Sequence, residues 1–214
     1  MDAAAGLTWS KICGITRSAD TATAERAGAN AIGFNFYPPS PRYIDPEAAG
    51  AIAALTGCTR VGLFVDPSED DVRAACDACA LDLLQFHGDE TPEFCERFAM
   101  PYMKVIRMRD DTDIDAVVAR FSDAWAIMLD TYVPGVPGGT GAAFDWGRWP
   151  QGLEARLVLA GGLDPENVSA AITALQPFGV DVSSGVEGQR KGIKDPARVE
   201  AFMKEVRRVG SAAG

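Results

Sequence analysis

The sequence predicts one α/β domain, a (β/α)8 barrel spanning residues 1–214. Short apolar runs rich in β-formers recur along the chain, amphipathic helical stripes separate them, and the unusual polar residues gather just after the apolar runs. Near-continuous apolar strands alternating with helices indicate a parallel sheet covered by helices. An open doubly wound sheet shares that alternation, and eight units point to a closed barrel. A chain of 214 residues, 47% of them hydrophobic, can bury one core of that size.

The first strand is Trp9–Cys13, running into Gly14, and the second covers residues 31–36. Asp45-Pro46 then supplies an N-cap acceptor with proline at N1, followed by the stripe Ala48, Ala51, Ile52 and Leu55 at i, i+3, i+4, i+7. Strand three covers residues 61–65, and Ser68 with Asp71 forms a weak capping box ahead of Val72, Ala75, Cys76 and Cys79. Strand four covers residues 81–86, and Thr91-Pro92 starts the next helix. Strand five, residues 102–106, leads to the stripe Ile114, Val117, Val118 and Phe121; strand six covers residues 125–129. Strand seven, residues 157–160, precedes Asp164-Pro165 and the stripe Val168, Ala171, Ile172, Leu175. Gly179–Val182 is the eighth strand, and Asp195-Pro196 opens a last helix on Val199, Phe202, Met203 and Val206.

The barrel brings Cys13, Arg42, Asp66, His87, Arg107, Asp130, Gly161-Gly162 and Ser183-Ser184-Gly185 to one face, because all lie at or just after the C-terminal end of a strand. A thiol at Cys13 and a carboxylate at Asp130 are the parts of an acid–base pair. The glycine- and serine-rich loops after strands seven and eight can present backbone N–H groups to a phosphate. A guanidinium held in the stiff Ser40-Pro41-Arg42 segment suits a bidentate carboxylate contact, and it suits equally a surface pair with a nearby acid. His87, the only histidine, is either a hydrogen-bonding group facing the substrate or a structural residue satisfied by loop carbonyls. The glycine-rich segment 135–141 is either a lid or a passive loop. Period-2 alternation puts Lys11 on the face of Cys13 only if the first strand stays regular to its end, so Lys11 is not expected to assist the thiol.

A net charge of −10 without any basic run argues against nucleic acid and anionic membranes as partners and for a small metabolite. Neither a leader-like N-terminus nor a stretch of transmembrane length is present, and a cytoplasmic location is expected. Five cysteines without a leader suggest reduced thiols. Cys76-Asp77-Ala78-Cys79 reads as part of an apolar stripe, because nothing completes a zinc set; Cys95 reads as core and Cys58 as a loop thiol. One histidine leaves no multi-histidine metal site.

The chain resembles the phosphoribosylanthranilate isomerase family of tryptophan biosynthesis. The resemblance is carried by Lys11-Ile12-Cys13-Gly14-Ile15-Thr16, Gly33-Phe34-Asn35-Phe36-Tyr37-Pro38-Pro39-Ser40-Pro41-Arg42, Gln85-Phe86-His87-Gly88, Gly138-Gly139-Thr140-Gly141 with Phe144-Asp145-Trp146, Leu159-Ala160-Gly161-Gly162-Leu163 and Asp181-Val182-Ser183-Ser184-Gly185-Val186-Glu187. It implies an Amadori rearrangement of N-(5-phosphoribosyl)anthranilate without cofactor or metal, on a small substrate with phosphate and carboxylate groups. It further implies Cys13 as general base and Asp130 as general acid. Arg42 would hold the carboxylate, and Gly161, Gly162, Ser183, Ser184 and Gly185 the phosphate, with His87 and Asp181 also on the substrate. Family members often carry a basic residue where this chain has Ala142. Two rival readings are the histidine-pathway isomerase, which resembles a barrel with two aspartates as acid and base, and a phosphate-binding barrel without catalysis. Oligomeric state is left open between monomer and homodimer.

Overall fold

A computed structural model describes residues 8–131 and 146–210. Eight parallel strands close into a barrel in chain order, with the last pairing to the first: β1 (Trp9–Cys13), β2 (Ala31–Asn35), β3 (Thr59–Phe64), β4 (Leu83–Phe86), β5 (Tyr102–Met108), β6 (Ala126–Thr131), β7 (Leu157–Leu159) and β8 (Gly179–Val182). The helices are α1 (Ser18–Arg26), α2 (Pro46–Ala53), α3 (Glu69–Cys79), α4 (Pro92–Glu96), α5 (Ile114–Arg120), α6 (Val168–Leu175) and α7 (Pro196–Gly210). Between β6 and β7 the described residues hold a 3-10 turn, Trp146–Arg148. The expectations on segment 135–141, and the family pattern at Ala142, Phe144 and Asp145, lie outside the described residues.

Alternation along the strands sorts the side chains into two cores. Trp9, Ala31, Val61, Leu83, Met103, Val105, Ala126, Met128, Val158 and Ala160 fill the barrel, while Ile12, Phe34, Phe64, Leu84, Phe86, Ile127 and Leu159 pack outward against the helices. The Phe86 ring lies 5.9 to 6.1 Å from those of Phe64, Phe94 and Phe98. Such pairs add about 0.5–1.5 kcal/mol each beyond area burial. They anchor the end of β4, one residue before His87.

Several helix starts follow the sequence. Asp45 caps α2 on the Glu47 N–H, Thr91 caps α4 on Phe94, and Asp195 accepts from Ala197. Ser68 and Asp71 form a complete reciprocal capping box, more than the weak one expected. Asp164 accepts from Glu166 and Asn167, but the regular helix begins only at Val168, because these bonds close a turn first. The expected α2 stripe is displaced. Ala49, Ile52 and Ala53 are buried, while Ala48, Ala51 and Leu55 are exposed, since the helix ends at Ala53 and its facing is set by Ala78 of α3 packing against Gly50. No stripe announces α1, whose buried positions are Asp20, Thr21, Thr23 and Ala24.

Candidate active site

β1 stays regular to its end, so Lys11 and Cys13 do share the barrel-facing side with Trp9, contrary to the sequence expectation. The two side chains lie over Gly33 of β2, where a Cβ would meet the Cys13 Sγ at 3.0 Å and the Lys11 Nζ at 3.2 Å. Lys11 is wholly buried and donates to Asp181 Oδ1 at 2.6 Å. Burial pulls the Lys11 pKa down, but Asp181 and Cys13 outweigh it and leave the ammonium above its ordinary value. Around Cys13 burial wins and raises the thiol pKa, with Lys11 opposing, Asp181 adding to the rise and Lys194 opposing. The cations are present, and desolvation of the thiolate exceeds them.

Arg42 is buried against Gly14, the residue after Cys13, not on the surface. Gly14, with φ +75°, makes this possible: a Cβ there would meet Arg42 Cδ at 2.7 Å and Ser183 Oγ at 3.2 Å. The guanidinium pairs with Glu187 through two bonds, Nε to Oε1 at 2.7 Å and Nη2 to Oε2 at 2.9 Å. Nη1 donates to no protein acceptor among the described residues, which leaves one end of the fork for a ligand. Glu187 also accepts from Lys194 Nζ at 3.1 Å. Burial would raise the Glu187 pKa, but its bonds to Arg42 and the nearby Lys194 charge bring it below the ordinary value.

Asp130 follows Ala126 and Met128 on the inward side of β6. Its Oδ1 accepts the Thr131 N–H at 2.8 Å, and its Oδ2 lies 3.3 Å from His87 Nε2. His87 thus faces the Asp130 carboxylate rather than loop carbonyls, and both are buried. Gly161, at φ +87°, passes so close that a Cβ would lie 2.9 Å from Asp130 Oδ1 and 2.7 Å from the Thr131 nitrogen. The loop after β7 is pressed against the carboxylate for that reason.

The N–H groups of Gly161, Gly162, Ser184 and Gly185 donate to no protein acceptor among the described residues. They stand in the loops after the adjacent strands β7 and β8, a candidate anion cradle. Ser183 turns away from it and donates its hydroxyl to the Cys13 carbonyl at 3.1 Å. Asp181 lies deeper, inside β8, with Oδ1 committed to Lys11.

Asp66 and Arg107 stand apart from this cluster. Asp66 Oδ1 accepts the Asp89 N–H, and Arg107 Nη2 lies 3.4 Å from Asp89 Oδ1. Cys76 and Cys79 sit in the α3 stripe as expected, with burial pushing the Cys79 thiol to about 11; burial likewise pushes Cys95 to about 12. Among the described residues no group of three or more His, Cys, Asp or Glu is arranged to hold a metal, and no helix is long and apolar enough to cross a membrane. Sequence reasoning missed Lys11, Glu187 and Lys194 as parts of the site. Period 2 from Cys13 could have found Lys11, and nothing local marks Lys194, which reaches the site from the segment before α7.

The family model for N-(5'phosphoribosyl)anthranilate (PRA) isomerase matches residues 10–205. The N-(5'-phosphoribosyl)anthranilate isomerase of Pseudomonas fluorescens (strain SBW25) is 54% identical over 205 residues, covering 95% of this chain and 97% of that one. The phosphoribosyl anthranilate isomerase of Thermus thermophilus superposes with a TM-score of 0.84 at 34% identity, covering 94% of this chain and all (100%) of that one. A phosphoribosyl anthranilate isomerase in complex with reduced 1-(o-carboxyphenylamino)-1-deoxyribulose 5-phosphate superposes with a TM-score of 0.79 at 34% identity, with coverage of 94% and 100%.

Proposed function

This chain belongs to the phosphoribosylanthranilate isomerase family, and we propose from that premise how its residues divide the work. The protein catalyses the Amadori rearrangement of N-(5'-phosphoribosyl)anthranilate to 1-(2-carboxyphenylamino)-1-deoxyribulose 5-phosphate. Asp130, protonated on Oδ2, gives its proton to the furanose ring oxygen; the C1–O bond breaks and a protonated Schiff base forms. The Cys13 thiolate then removes the C2 proton, and the electron pair moves toward nitrogen to give an enolamine. Ketonisation returns a proton to C1. Oδ1 is already occupied by the Thr131 N–H, so Oδ2, facing His87, is the oxygen free to carry the proton.

Burial serves the thiol in this scheme. It makes the thiolate scarce but strongly basic, and Lys11 supports it with an adjacent positive charge. Asp181 acts through Lys11. Arg42 receives the anthranilate carboxylate on its Nη1 side, and the free amides of Gly161, Gly162, Ser184 and Gly185 receive the phosphate, with Ser183 tying their loop to β1. The site is complete within one chain, so a monomer or a homodimer can carry it. A cytoplasmic location fits such a metabolite enzyme.

The observation that carries this assignment is the Lys11-supported thiol and the His87-facing carboxylate turned into the same barrel mouth. A pair of aspartates, as in the histidine-pathway reading, is not available at these two strand ends. The test is turnover of phosphoribosylanthranilate by purified protein. Cys13→Ala and Asp130→Asn should each lose about 10²–10⁴ in kcat with circular dichroism unchanged. A folded variant that keeps wild-type kcat removes its residue from the mechanism.

A further inference from the structure

Lys194 bonds to neither the proposed acid nor the proposed base, and its charge is the smallest of the influences named on the Cys13 thiol, yet it is only 1% exposed. A buried ammonium requires partners for its three N–H groups. Nζ finds the Ser183 carbonyl at 3.0 Å, Glu187 Oε1 at 3.1 Å and the Ser183 hydroxyl at 3.4 Å. Burial lowers its pKa, and Glu187 is the main group holding it charged.

Glu187 is the centre of this cluster. It accepts from Arg42 Nε and Nη2, from Lys194, and from the Gly192 N–H at 3.1 Å. With four donors around two oxygens, the carboxylate has one orientation, and so has the guanidinium clamped to it. The charges add to one excess positive: two cations share one anion. In a chain with a formal charge of −10, that excess lies beside the free Nη1 of Arg42.

We propose that Lys194 is a positioning residue that sets specificity for a carboxylated substrate, by fixing Arg42 through Glu187 and by leaving that corner one positive charge in excess. The inference rests on the reading of Arg42 as the carboxylate contact. A carboxylate docking on Nη1 brings the cluster to two cations and two anions. Without Lys194, Arg42 and Glu187 already neutralise each other, and a second carboxylate meets a balanced pair. Glu187 also loses a donor and becomes free to swing with its guanidinium.

The test is calorimetric titration of the reduced product analogue and of its carboxamide counterpart into wild type, Lys194→Met, Lys194→Gln and Arg42→Ala, with thermal unfolding recorded for each. Lys194→Met should weaken the carboxylated ligand about 10- to 100-fold and the carboxamide less than about threefold, the range of one charge-assisted contact. Lys194→Gln keeps donors for Glu187 and Ser183 without the charge, and should reproduce the selectivity loss if Lys194→Met does not fold. Equal effects on both ligands, or none, in the Lys194 variants while Arg42→Ala still discriminates would overturn the role of Lys194 and leave the Arg42 reading standing. If Arg42→Ala itself weakens both ligands equally, the carboxylate contact is wrong and this inference falls with it.

Discussion

Lys11→Met is the most informative perturbation of the proposed base. In the native protein burial already raises the Cys13 thiol, and Lys11 is the largest influence opposing that rise. Methionine keeps much of the volume and removes the charge. It also leaves Asp181, formerly 2.6 Å from the ammonium, as an uncompensated anion near the thiol. Both changes push the thiol pKa further up. An opposite charge at such range is worth about 1–3 pKa units.

The sign follows from which form works. On the proposed assignment the thiolate is the base, so the fraction of enzyme able to take the C2 proton rises with pH through the thiol pKa and falls tenfold per unit below it. Moving that pKa up by about 1–3 units lowers kcat/KM at neutral pH by about 10- to 10³-fold; turnover also needs the proton on Asp130, so the return of the thiolate at high pH is read on the thiol itself. Breaking a buried pair also costs about 3–5 kcal/mol of stability, so Lys11→Met/Asp181→Asn should be measured beside the single variant. The double variant removes the stranded anion, and its limb should lie between those of wild type and Lys11→Met. The assay is kcat/KM for phosphoribosylanthranilate at neutral pH beside the rate of Cys13 alkylation, followed by mass spectrometry, from about pH 6 to 10. An alkylation profile superimposable on wild type would show that Lys11 does not govern the thiol.

Three other outcomes follow from the same geometry. Gly162 has φ +65°, so Gly162→Val strains the loop and fills the amide cradle; inorganic phosphate and phosphorylated ligands should weaken at least about tenfold, while a dephosphorylated analogue binds as before. Equal weakening of both would point to a collapsed loop instead of a phosphate contact. Crystals soaked in phosphate should place the anion against Gly161, Gly162, Ser184 and Gly185; density elsewhere on the barrel refutes the assignment. Lys104→Met strands Glu90, whose partner Nζ lies 2.6 Å away in a site almost closed to water. Unfolding by urea should reveal a loss near 3 kcal/mol, the low end for a broken buried pair, because Glu90 keeps the N–H groups of Gly88 and Asp66. A loss below about 1 kcal/mol would mean that the pair is not closed in solution.

The barrel was legible because period and punctuation agree. Apolar runs mark the strands, and Asp45, Ser68, Thr91 and Asp195 mark helix starts that the structure uses. What failed was wherever tertiary packing chose among local options. The facing of α2 is decided by contact with α3, and α1 buries threonine and aspartate, which no apolar stripe can signal. In the site, the proposed acid and base stand at strand ends and are found by counting strands. Their electrostatic partners are not, because Lys11, Glu187 and Lys194 act across 170, 145 and 7 residues of chain respectively, on Asp181, Arg42 and Glu187.

Charge gives the arrangement its logic. The chain as a whole repels anions, so attraction must be local. Its buried cations Lys11, Lys104, Arg42 and Lys194 each meet a carboxylate: Lys11 takes Asp181, Lys104 takes Glu90, and the last two share Glu187. Only the shared case leaves an excess of positive charge. The loops after β7 and β8 would meet a phosphate with neutral amides, which serve any phosphate ester alike. On the proposed assignment, the phosphate end supplies affinity common to many sugar phosphates, and selection of an anthranilate falls to the Arg42 corner. A phosphorylated sugar without the carboxylate should therefore compete for the cradle in wild type and in Arg42→Ala with the same affinity; a loss of that affinity in the variant would show that the two ends are not independent.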